Sequence, residues 1–84
     1  MRVNLVHENK LIHATIEDEE CPYYFLEIIE DEENGQVIIK ANNEMINSLY
    51  VEDLDKLSIS DFMFNKCLYT LYKKFMKVMK KVVP

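Results

Sequence analysis

With 84 residues, 49% of them hydrophobic and 30% charged, the chain has material for one domain and one core,. This composition excludes a wholly disordered chain, and no apolar run approaches the roughly 20 residues that span a bilayer. The net charge is −5, but it is unevenly spread: residues 1–60 carry a net −10 and residues 61–84 a net +5. Phosphate would be repelled along most of the chain, which argues against nucleic-acid binding by the body of the domain.

Residues 2–7 and 10–16 read as a hairpin across Glu8-Asn9. That register sets Leu5 against Ile12, Val3 against Ala14 and Met1 against Ile16, with all six on one face, and Asn4 opposite His13 on the other. A second hairpin joins 23–31 to 36–42. A two-residue turn at Asn34-Gly35 would set Glu30 against Ile39. A four-residue loop from Glu32 to Gly35 instead sets Ile28 against Ile39, Leu26 against Ala41 and Glu27 against Lys40, and is preferred because like faces like and opposite charges meet.

Residues 43–57 are ambiguous. Met45, Ile46, Leu49, Tyr50, Leu54 and Leu57 fit a broken helical stripe or a short edge strand over 46–51, and the reading leans to a short helix or turn. The last element, 58–82, is a helix. Ser58 and Asp61 have the spacing of a capping box, and Phe64, Leu68, Leu71, Phe75, Val78 and Val82 recur at alternating steps of four and three,. Lys66, Lys73, Lys77 and Lys80 take the opposite side. The expected architecture is α+β: a four-stranded antiparallel β-meander packed against one long C-terminal amphipathic helix, in a single domain over 1–84 without a linker.

The chain offers no motif for catalysis or cofactor binding. Its single glycine, Gly35, removes the glycine-rich phosphate loops, and there is no Gly-x-Ser-x-Gly elbow,. His7 and His13 fall on opposite faces of the first hairpin, so they do not converge on a metal. The acidic runs lack the spacing of a calcium loop. Cys21 and Cys67 are far apart in sequence and form no Cys-x-x-Cys pair. They read as separate thiols, Cys67 as a small core residue, in a reducing compartment. The start of the chain lacks the apolar centre of a secretory signal. The expectation is a soluble cytoplasmic protein that is not an enzyme and holds no cofactor or metal.

Three surfaces remain as candidates. The first is acidic: Glu17, Asp18, Glu19 and Glu20, then Glu30, Asp31, Glu32 and Glu33, with a further cluster over 52–55. Such a surface suits a regulator or inhibitor that occupies the phosphate-binding face of a basic, nucleic-acid-binding protein partner. The second is apolar: Tyr69, Tyr72 and Met76 widen the helix stripe, and an exposed arc of this kind suits a homodimer contact. The alternative is that 43–57 folds over it. The third is basic: Lys73, Lys77 and Lys80 would contact nucleic acid. The leading reading is a small acidic protein-interaction module, with a basic-helix nucleic-acid binder and a structural homo-oligomer subunit as alternatives. The Lys-, Asn- and Ile-rich, glycine-poor composition suits a small viral or mobile-element protein.

Overall fold

The computed structural model describes residues 1–82, with side chains through Met79. Five strands form one antiparallel meander in the order β1 to β5: Arg2–Glu8, Leu11–Glu17, Leu26–Asp31, Gln36–Ala41 and Glu44–Tyr50. Two 3-10 turns follow, Val51–Lys56 and Ile59–Phe62, and then one helix, α1, over Lys66–Val82. The fold is α+β as expected, with one strand more than the sequence reading.

Alternation builds the sheet's two faces. Ala14 and Ile16 of β2, Leu26 and Ile28 of β3, and Val37, Ile39 and Ala41 of β4 are buried on one face. Leu68, Leu71, Tyr72 and Phe75 of α1 close over them. This is the half-buried antiparallel pattern, apolar residues at every second position. The other face is uncovered, and Val6, Leu11, Ile38, Met45 and Tyr50 are exposed on it.

The β3–β4 register is the one predicted: Ile28 pairs with Ile39, Leu26 with Ala41 and Glu27 with Lys40. Gly35 takes φ 64°, and the Asp31 carboxylate accepts from the Glu33 and Asn34 amides to hold the loop,. The β1–β2 register differs by two residues. Val3 meets Ile16, Leu5 meets Ala14 and Val6 meets His13, while Asn4 sits opposite Thr15. The turn is Asn9-Lys10 because Asn9 adopts φ 54°, a left-handed conformation that asparagine tolerates,. A slip of two leaves every side chain on its predicted face, so His7 and His13 still point to opposite sides.

The segment from residue 43 holds the largest departure. Asn42 and Asn43 both have positive φ, 48° and 70°, as a tight hairpin turn between twisted strands requires,. The chain therefore reverses into β5, and the helical option for its first half is replaced by a strand. A register shift beside Ile39 and Lys40 leaves Ile46 as an extra residue,.

The helix begins later than predicted. The Asp61 carboxylate accepts from the Ser58 amide at 2.7 Å, so the capping box forms, but it caps the 3-10 turn Ile59–Phe62. Met63 and Phe64 then turn left-handed, and Asn65 starts α1 by accepting from the Cys67 and Leu68 amides at 3.0 and 3.2 Å,. Phe64 is consequently 76% exposed rather than part of the stripe. Phe62 takes its place in the core, against the rings of Tyr69 and Tyr72.

Candidate functional site: the acidic end of the sheet

The topology sorts the acidic runs into two different environments. The run 17–20 lies beside the helix. Lys74 pairs with both Asp18 and Glu20, the latter at 3.0 Å, and Arg2 donates to Glu17 from Nε at 3.0 Å. The hydrogen bond from Lys74 holds the Asp18 carboxyl below the usual carboxylate range, and the same contact raises Lys74,. Of the four predicted residues here, Glu19 alone is left without such a contact among the described residues. This run is a docking point for the protein's own helix.

The run 30–33 lies at the opposite end. The β1–β2 tip, the β3–β4 loop and the end of β5 all meet there: Lys10 O accepts from the Glu32 amide at 2.8 Å, and Gly35 O from the Val51 amide at 2.9 Å. Glu8, Glu30, Asp31, Glu32, Glu33, Glu52 and Asp53 thus share one end of the sheet with Lys10 and Lys56. Strands about 4.8 Å apart spread this band over roughly 20 Å.

Within the band the groups differ. Glu32 Oε1 lies 2.6 Å from His7 Nε2. Glu30 is on the helix-side face opposite Ile12 and Val37. Burial there, reinforced by the neighbouring Glu32 charge, pushes its carboxyl up,. Asp31 is held down by its hydrogen bond from Asn34, at 2.7 Å. Asp53 pairs with Lys56 at 3.5 Å. Glu8, Glu33 and Glu52 are exposed and make no such contact among the described residues. Glu8 was not among the predicted residues. Its signal was its place at a hairpin tip, which acquires meaning only once the two tips are known to be adjacent.

The apolar candidates are mostly covered. Tyr72 is 2% exposed and its hydroxyl donates to Leu54 O. Burial, followed by the Asp55 charge, pushes that hydroxyl up to about 12. Tyr69 and Met76 are half-buried against the same core, as are Val51, Leu54 and Leu57. Tyr72 is therefore corrected from a surface contact to a core residue, covered by the segment after β5. Of the basic candidates, Lys73 lies 5.7 Å over the Tyr69 ring and Lys77 is exposed, while the Lys80 side chain is outside the described residues.

The cysteines are also corrected. Cys21 and Cys67 are joined as a disulfide, with Cα atoms 5.8 Å apart, across 46 residues,. It ties the β2–β3 loop to the first turn of α1, beside the Asp18–Lys74–Glu20 contacts. The argument for a reducing compartment from two separate thiols no longer applies. No group of three His, Cys, Asp or Glu side chains among the described residues is arranged to hold a metal ion. No helix among them is long and apolar enough to cross a membrane. A concavity of about 640 Å³ beside the β2–β3 loop is lined by Arg2, Glu17, Tyr23 and Tyr24 among others. Compared with known proteins, the chain matches no family model, no curated protein and no solved structure.

Proposed function

We propose that the chain is a non-catalytic protein-interaction module whose working surface is the acidic end of the sheet. Its partner is a basic protein surface, of the kind that a nucleic-acid-binding protein presents to phosphate, and occupation of that surface would make the module a regulator or inhibitor. One observation carries the reading. Of the two acidic runs, 17–20 has three of its four acids paired from within by Lys74 and Arg2, whereas 30–33 is joined by Glu8, Glu52 and Asp53 against only two lysines and His7. A predominantly acidic band on rigid strand ends steers a partner of opposite charge and disfavours nucleic acid. The basic-helix alternative has less support, because the acids Asp18 and Glu20 are held against that helix by Lys74, the neighbour of Lys73.

Charge reversal tests the assignment. A variant with Glu33, Glu52 and Asp53 changed to lysine should lose capture of its partner. Changing Glu19 to lysine, or Lys73 and Lys77 to glutamate, should leave capture close to that of the parent chain. Far-UV circular dichroism checks that each variant folds. Capture that survives reversal at the acidic end, or that disappears with the helix lysines, overturns the reading.

A further inference from the structure

The sheet ends in two open edges of unequal quality. Along β5 the ladder is interrupted by the irregularity beside Ile39 and Lys40, and the strand runs directly into the 3-10 turn Val51–Lys56. Bulges of this sort protect an edge from pairing. Along β1 there is no such device. Its seven residues pair in unbroken register with β2, and it contains no proline. Its outer edge is a continuous row of backbone groups. Its side chains are mostly uncovered too: Leu5, on the helix-side face, and Val6, on the other, are each 46% exposed.

We propose that β1 pairs with β1 of a second copy of this chain, antiparallel about a twofold axis through Leu5, to give one ten-stranded sheet. Among twofold registers, only this one pairs all seven residues of the strand. It sets Leu5 against its own copy, Val3 against His7, Asn4 against Val6 and Arg2 against Glu8. The last match occurs twice, once at each end, and it places Arg2, which already donates to Glu17 of its own chain, between that acid and the exposed Glu8 of the second copy, with opposite charges in direct cross-strand pairs,. It is the charge pattern of the strand itself, basic at residue 2 and acidic at residue 8, that makes the edge complementary to its own reverse.

The arrangement is isologous, so it closes. Each copy uses its one regular edge, and the joined sheet terminates in two β5 edges that resist further pairing. Because the strands run antiparallel, the acidic end of each copy lies at the far end from that of its partner. This surface is separate from the helix face on which Tyr69, Tyr72 and Met76 suggested a dimer contact.

Sedimentation of the full chain from micromolar to millimolar concentration reads the association. The parent chain should pass from monomer to dimer and stop there. Two charge variants read the register. The Arg2→Glu chain carries acids at both ends of β1, and the Glu8→Arg chain carries bases at both. Each alone should associate about tenfold more weakly, from two like-charge pairs per dimer. An equimolar mixture should recover the parent affinity, because every end pair is then of opposite sign. In the parent, alternate β1 amides should gain hydrogen-exchange protection as concentration rises. A parent chain that stays monomeric throughout, or grows beyond a dimer, overturns the proposal. So do variants that dimerise like the parent, a mixture that gives no recovery, or protection that falls on β5 or α1.

Discussion

Tyr72 shows how one side chain changes meaning between sequence and structure. At the step of a helix it widens an apolar arc and reads as surface; in the fold it is core, with its hydroxyl on Leu54 O. Its hydroxyl is held neutral, so the sign of its pH effect is fixed. A proton held more tightly in the folded state makes its contribution complete below pH 10, and rising pH removes it between 10 and about 12,. Ultraviolet titration should therefore show one tyrosine ionising well above the rest. Tyr72→Phe should lower stability by about 1–2 kcal/mol, because the Leu54 carbonyl loses its donor, as read by urea unfolding. Glu30 acts in the opposite pH range. Its folded carboxyl is raised, so stability is greatest below the ordinary carboxylate range and falls as pH rises through it,. Glu30→Gln should raise stability at pH 7 by up to about 1 kcal/mol, the scale of a like-charge contact on a sheet, and the gain should vanish near pH 3. Neither shift was legible in the sequence. Each depends on burial by other elements: the segment holding Leu54 and Asp55 for Tyr72, and the sheet face beside Ile12 and Val37 for Glu30.

At the scale of elements, the second hairpin was fully legible because apolar and charged partners agree on one register. The strand β5 was not. Its extra residue places Ile46 and Leu49, three apart, both against the core, and that spacing imitates a helix. The turn before it was written in the sequence as Asn42-Asn43, two residues that tolerate the left-handed region, and the pair outweighs the helical spacing that follows,. The start of α1 was misplaced for a similar reason. A genuine capping box at Ser58 and Asp61 is followed by two left-handed residues that no local rule demands of Met and Phe. Their strain gives a direct test. Phe64 is exposed with φ 56°, so Phe64→Gly should keep or raise thermal stability, by up to about 1 kcal/mol, instead of lowering it as in a helix interior,. Asn65→Ala should cost about 1 kcal/mol by removing the cap from the Cys67 and Leu68 amides,. If the helix began at Ser58, the first change would be destabilising and the second nearly neutral.

For the molecule as a whole, two long-range facts lay beyond any local pattern: the Cys21–Cys67 link and the division of the acidic runs between the ends of the sheet. The link closes a 46-residue separation, and the chain-entropy estimate for such a loop is about 4 kcal/mol, large for a domain of this size,. Reduction, or Cys67→Ser, should lower Tm by about 10–25 °C in a calorimetric scan, and an unchanged Tm would show that the link is not closed in solution. The division of charge follows from topology. Both runs looked alike in sequence, each a Glu-Asp-Glu-Glu after an isoleucine, but only one lies within reach of Lys74. The most direct test of the acidic end as the working surface is a backbone-amide chemical-shift titration of the full chain with an arginine-rich peptide and, separately, with duplex DNA. The account predicts saturable shifts with the peptide, confined to Glu8, residues 30–36 and 51–56, and none with DNA. Peptide shifts centred on residues 17–20, or DNA shifts along Lys73 and Lys77, would contradict it.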